Sequence, residues 1–187
     1  MQLKGKTAII TGGGSGFGAS MADLFAKNGA KVIVADIDLN SARKVAEGTG
    51  GYPLEVDVSS AKSVEQMKIE IFKENEKVDI VVNNAGTTHL PAPMETIEED
   101  EFDRVFNVNC KSVYLTAKHF VPHFKENKSG VILNIASTAG VSPRPNLNWY
   151  NSSKGWMILA SKTMAVELAP FGIRVNVINP VAGETPL

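Results

Sequence analysis

The chain has 187 residues, 43% of them hydrophobic and 21% charged, with a formal net charge of −1. That is enough apolar mass for one sizeable core, and there is neither a basic surplus to hold a nucleic-acid backbone nor an acidic tail. A single cysteine, Cys110, excludes an internal disulfide, and the apolar stretch after Met1-Gln2-Leu3-Lys4-Gly5-Lys6 is too short for a signal peptide or a membrane span, so a cytoplasmic chain with no membrane partner is expected.

Short β-branched runs alternate with segments of helical period. Strands are predicted at 7–11, 31–35, 52–56, 78–82, 131–135 and 174–178, most of them near-continuously apolar, as in a parallel sheet covered on both faces. Helices are predicted near 17–28, 39–47, 60–75, 98–126 and 149–169. This alternation calls for an α/β fold: a doubly wound parallel sheet, helices on both faces, in a single domain spanning 1–187.

Directly after the first strand stands Thr11-Gly12-Gly13-Gly14-Ser15-Gly16-Phe17-Gly18. Glycines between a strand and a helix permit a tight turn, let backbone approach a pyrophosphate, and leave that phosphate facing a helix N-terminus. Asp36, followed by Ile37, ends the second strand eighteen residues beyond Gly18, close to the spacing of an acid that grips a ribose. Its carboxylate would accept from the adenosine hydroxyls of NAD and repel the phosphate of NADP. Asp38 and Asn40 are better placed to cap the second helix, so NAD is the expected cofactor.

Two further loops follow strands three and four. Asp57-Val58 would meet adenine, and Asn83-Asn84-Ala85-Gly86 would put small residues beside a ribose while Asn83 or Asn84 ties neighbouring strands together. Thr96 and Glu99 have capping-box spacing at the head of the long helix over 98–126. On that helix Cys110 reads as a small core residue. His119 and His123 read as a solvated face, because no third ligand accompanies them and no metal is expected. His89, Asn146, Asn148 and Trp149 fall near the expected substrate mouth.

Ser137 ends the fifth strand, and Tyr150 and Lys154 stand at i and i+4 on the last helix, sharing one face. A cation about 5 Å from a phenol, at an effective dielectric near 20, favours the phenolate by roughly 3 kcal/mol, which fits the phenol for proton transfer near neutral pH. A strand-end hydroxyl beside it would hold a substrate oxygen between two donors. From Trp156 to Ala169 the same helix is apolar on more than one side, implying either a second subunit or burial under further chain.

In combination, Thr11-Gly12-x-x-x-Gly16-x-Gly18, Asp57-Val58, Asn83-Asn84-Ala85-Gly86, Asn109, Ser137 and Tyr150-x-x-x-Lys154 resemble the short-chain dehydrogenase/reductase family, from about Lys6 to Pro180. The resemblance implies a Rossmann-like fold and transfer of hydride between a nicotinamide and an alcohol or carbonyl compound. It implies that Tyr150 exchanges the proton and Ser137 orients the carbonyl. Lys154 would hold the nicotinamide ribose, and Asn109 would place a water in the proton relay. Backbone contacts to the carboxamide would come from Pro180 and Thr185, although Val181 and Gly183 depart from the family pattern Pro-Gly-x-(Ile/Val)-x-Thr. Relatives of this type continue with a substrate-covering lobe that these residues do not include, and they assemble as dimers or tetramers. Three rival readings stay open: a 3-oxoacyl-(acyl carrier protein) reductase using NADPH, a non-catalytic dinucleotide sensor or scaffold, and an epimerase.

Overall fold

The computed structural model describes residues 2–181. Six strands pair in parallel in the order β3-β2-β1-β4-β5-β6: β1 Thr7–Thr11, β2 Lys31–Asp36, β3 Tyr52–Glu55, β4 Ile80–Asn83, β5 Gly130–Ile135 and β6 Ile173–Ile178. Alternate residues of each strand feed opposite faces. Ile9, Ile33, Val81 and Ile132 pack with Met67, Ile71, Leu115, Phe120 and Phe124 on one side, whereas Ala8, Ile10, Val32, Val34 and Val82 meet Ala22, Ala42 and Ala46 on the other. Burial from both sides is why the middles of β1, β2 and β4 carry no polar position, whereas the edge strand β6 alternates buried residues with exposed Arg174 and Asn176. Pro53 lies in β3, an edge strand, where a missing N–H donor is tolerated.

The first face is covered by α3 (Ala61–Glu74), α5 (Ser112–Glu126) and α6 (Asn148–Leu168), and the second by α1 (Gly16–Lys27) and α2 (Leu39–Thr49). Asp38 caps α2 by accepting from the backbone N–H of Asn40 at 3.0 Å. The helix expected over 98–126 is instead divided into α4 (Glu99–Phe106), a π-helical turn at Asn107–Lys111, and α5. The expected capping box does not form either. Thr96 closes a short 3₁₀ turn, its hydroxyl donating to the Pro93 carbonyl, and Ile97 is extended, so the first helical residue is Glu99 itself. His123 is not on a solvated face: its ring packs on Phe72 with centroids 4.7 Å apart, and its Nε2 accepts from the Val78 N–H.

On α6, Met157 and Leu168 are buried while Trp156, Leu159 and Val166 are exposed. Among the described residues no helix is long and apolar enough to cross a membrane.

Candidate active site

β1 pairs with both β2 and β4, so the chain's crossovers diverge there and leave a crevice at the carboxyl ends of the strands. A cavity of about 580 Å³ occupies this edge, a size suited to a small organic ligand.

Its first end is the glycine turn. Gly12 takes a left-handed backbone (φ +61°), and a Cβ there would sit 2.9 Å from Ala85 Cα, so only glycine lets β1 and the loop after β4 approach this closely. A Cβ on Gly18 would run into the Gly12 carbonyl, which lets α1 begin directly under the turn. Ser15 precedes α1 without capping it through its side chain, and Ser15, Gly16 and Phe17 line the cavity beside the positive end of the helix. Gly14 does not line it. The Gly14 N–H donates to Asp36 Oδ2 at 2.8 Å, while Asp36 Oδ1 accepts from the Asp38 N–H at 3.0 Å. The Asp36 carboxylate thus stands fixed at the cavity edge next to exposed Ile37.

Asp57 and Val58 line the same end, with Asp57 Oδ1 accepting from both the N–H and the hydroxyl of Ser59. Both asparagines after β4 tie strands together. Asn84 Nδ2 donates to the carbonyls of Thr11 and Gly12, and Asn83 Nδ2 donates to Asn134 Oδ1 on β5 at 2.7 Å. Ala85 and Gly86 are thereby held at the middle of the cavity wall.

The other end gathers Ser137, Tyr150 and Lys154. Ser137 follows β5, and the short turn Thr138–Gly140 lies directly on α6: a Cβ at Gly140 would be 2.7 Å from Gly155 N. This contact fixes the strand-end hydroxyl against the helix carrying the phenol. Ser137 Oγ accepts from the Ala139 N–H at 3.1 Å, which leaves its own proton to donate. Lys154 Nζ donates to the Ile135 carbonyl at 3.0 Å and lies 5.9 Å from the centre of the Tyr150 ring. A Cβ on Gly86 would be 3.3 Å from Lys154 Nζ and 3.4 Å from Asn109 Oδ1, so four separate segments converge here.

Asn109 is fully buried in the π turn and does not itself line the cavity. Its Oδ1 accepts from the Thr87 N–H, and its Nδ2 donates to the Thr87 carbonyl and to Ser153 Oγ, all at 2.9 Å. Pro180 lines the cavity, and its carbonyl accepts from the Thr138 N–H; Thr185 lies outside the described residues. Trp149, Asn146 and Asn148 do not line the cavity: Trp149 Nε1 donates to the Met94 carbonyl, and Asn146 accepts from the Ala92 N–H. His89 does not line the cavity either; it is buried, with Nδ1 on the Leu90 carbonyl. Val56, Thr87, Val108, Ile135, Ala136 and Val181 complete the lining; all but Ile135, two residues before Ser137, adjoin a motif residue in sequence, the one signal that marks them.

A sequence profile described as short chain dehydrogenase matches residues 6–187. The chain belongs to the short-chain dehydrogenase family. It is 44% identical to 4-formylbenzenesulfonate dehydrogenase TsaC1/TsaC2 of Comamonas testosteroni, across 100% of this chain and 76% of that protein. To the 3-oxoacyl-[acyl-carrier-protein] reductase FabG of Thermotoga maritima it is 36% identical, over 100% of this chain and 78% of that protein. The crystal structure of 3-ketoacyl-(acyl-carrier-protein) reductase from Brucella melitensis complexed with NADH superposes with a TM-score of 0.97 at 49% identity, covering 99% of this chain and 79% of that one. Members of this family are oxidoreductases that bind a nicotinamide dinucleotide and act on small molecules.

Within this short-chain dehydrogenase site, burial pushes the Lys154 ammonium down from its ordinary 10.5 to about 8, an effect that the neighbouring Cys110 only partly offsets. The Cys110 thiol itself is pushed up to about 11 by burial, in keeping with an inert core residue. Between pH 8 and 10.5 the unfolded chain therefore holds a proton on Lys154 that the native state has lost, so the contribution of this residue to stability rises with pH across that window. Carbon-13 NMR of the lysine Cε in ligand-free protein should give a Lys154 midpoint near 8. Urea midpoints of wild type relative to Lys154→Met should then shift in favour of wild type as pH rises from 8 to 10. A midpoint at the solution value would contradict both.

Proposed function

We propose that this protein is an NAD(H)-dependent oxidoreductase that transfers hydride between the nicotinamide and the carbinol carbon of a secondary alcohol or its ketone. Tyr150 is its general acid and base, and residues 1–187 act as one dinucleotide-binding and catalytic unit. The observation carrying this reading is the meeting of Ser137, Tyr150 and Lys154 at one end of a cavity whose other end holds the glycine turn and Asp36.

The residues fit the dinucleotide. The Gly12 and Gly18 approaches pack the turn tightly between the loop after β4 and the head of α1, α1 offers a pyrophosphate its first N–H groups, and Asp36 offers the adenosine ribose an anionic acceptor. When bound, the nicotinamide donates or takes up the hydride. For reduction, the Ser137 hydroxyl, its acceptor side occupied by Ala139, donates to the substrate oxygen and orients it. The Tyr150 phenol gives that oxygen its proton and takes one back in the oxidative direction. Lys154 spends one of its three N–H donors on Ile135 and keeps the others for the nicotinamide ribose. Asn109 supports the relay from behind by holding Thr87.

Substrate identity is the finer question. One relative bears the name of an aromatic aldehyde dehydrogenase and two bear that of an acyl-thioester ketone reductase. A 3-oxoacyl thioester is therefore the second reading, with NADPH as its expected cofactor, although one neighbour of that name is complexed with NADH. A cytoplasmic homo-oligomer, dimer or tetramer, belongs to the same reading; the exposed Trp156, Leu159 and Val166 on α6 support either such a subunit contact or burial under further chain, and carry nothing about compartment. Following NADH absorbance with a panel of cyclic ketones, an aryl aldehyde and a 3-oxoacyl thioester tests the reading. Turnover of at least one supports it, and cofactor binding without turnover of any supports the sensor instead.

A further inference from the structure

Ser153 stands between the two halves of the Tyr150-x-x-x-Lys154 motif, has no accessible surface and does not line the cavity. A serine hydroxyl has one proton to give. Ser153 gives it to the backbone carbonyl of Tyr150, at 2.7 Å. Any further partner must therefore donate to Ser153, and Asn109 Nδ2 does so at 2.9 Å. That requirement fixes which end of the Asn109 carboxamide faces Ser153, and hence which end is left for the Thr87 N–H, a donor that needs Oδ1. Nδ2 also reaches the Thr87 carbonyl, so the two ends of the chain of bonds agree in polarity. From the outer side Arg104 donates to the Thr87 hydroxyl and to the Thr88 carbonyl, with Glu101 as its counter-ion.

From this geometry we infer that Ser153 is a positioning residue: through Asn109 it locks the Gly86–Thr87 wall of the cavity to the helix that carries Tyr150 and Lys154. The role in turnover rests on the reading of Tyr150 as the acid–base group. The lock itself does not. Without the hydroxyl, one proton of Asn109 Nδ2 loses its buried acceptor, and the carboxamide, still paired to Thr87 at both ends, is no longer tied through Ser153 to α6. Thr87 lines the cavity and Gly86 lies against Lys154, so the wall then drifts relative to the phenol. Displacements of that kind, well under a residue's width, are costly to a reaction that needs aligned atoms.

The test is Ser153→Ala in the full chain with NADH present. Turnover is expected to fall about 10-fold, a modest share of what misplacement can cost. The dissociation constant for NADH should stay near wild type, while the urea midpoint falls by no more than one unpaired buried donor costs. Amide exchange at Thr87 should quicken while Ile10 and Val81 in the sheet stay protected. If Ser153→Ala does not fold, Ser153→Cys, whose thiol is a weaker donor and acceptor, carries the same comparison with smaller changes of the same sign. Unchanged turnover overturns the inference. So does a fall in NADH affinity parallel to the fall in turnover, which is the signature of a merely structural residue. If wild type binds NADH but turns over no carbonyl compound, the oxidoreductase reading fails, and exchange at Thr87 alone decides whether Ser153 locks the wall.

Discussion

Replacing Tyr150 by Phe is expected to lower kcat by about 1000-fold, the middle of the range that a positioned proton donor contributes. The change removes one oxygen and keeps the ring, and Tyr150 is half-buried at the head of α6, so the fold has little to lose. The backbone carbonyl that receives Ser153 Oγ is untouched. Affinity for NADH, read by quenching of protein fluorescence, should stay within about 2-fold, because what is removed is an interaction made in the transition state rather than uniform binding. A variant that kept a tenth of wild-type turnover would remove Tyr150 from the mechanism, whatever else lines the cavity. If turnover and NADH affinity fell together, Tyr150 would be a cofactor contact rather than an acid.

The parts of this molecule legible in its sequence are those set by short-range or repetitive physics. A strand buried on both faces must be apolar at nearly every position, so β1, β2 and β5 announce themselves. The i, i+4 relation of Tyr150 and Lys154 needs only a helix to put both on one side. What stayed hidden depends on partners distant in sequence. Nothing around Asn109 signals a π turn, because the turn is stabilised by Thr87 and Ser153, 22 and 44 residues away. Likewise the spacing of Thr96 and Glu99 satisfies a capping rule, but Pro93 takes the Thr96 hydroxyl first. Ser153 itself looks like an interchangeable small helix residue until Asn109 is seen against it. Trp149 shows the converse: proximity to the phenol in sequence suggested a pocket residue, whereas edge contact with Phe102 and the bond to Met94 turn it to the outside of the wall.

The second large effect concerns the choice of cofactor. Wild type should bind NADH more tightly than NADPH, and Asp36→Asn should erase most of the difference. Two unit charges of like sign about 5 Å apart repel by about 1 to 3 kcal/mol, depending on how well water screens them, which is about a 5- to 150-fold difference in affinity. Asp36 belongs towards the upper end of that range because it is half-buried and cannot swing away: Gly14 N–H holds one oxygen and Asp38 N–H the other. The phosphate carries more than one charge near neutrality, which adds to the penalty. Asparagine keeps the shape and one acceptor but no charge, giving up one of the two backbone N–H contacts, so NADPH should gain most. NADH should weaken by a smaller factor as an ionic acceptor for its ribose becomes a neutral one. Parallel fluorescence titrations at two salt concentrations separate the contributions, since only the repulsive part shrinks as the Debye length shortens. Equal affinities in wild type would mean that Asp36 serves the glycine turn alone. The second reading, a 3-oxoacyl thioester reductase, would then regain NADPH as its partner.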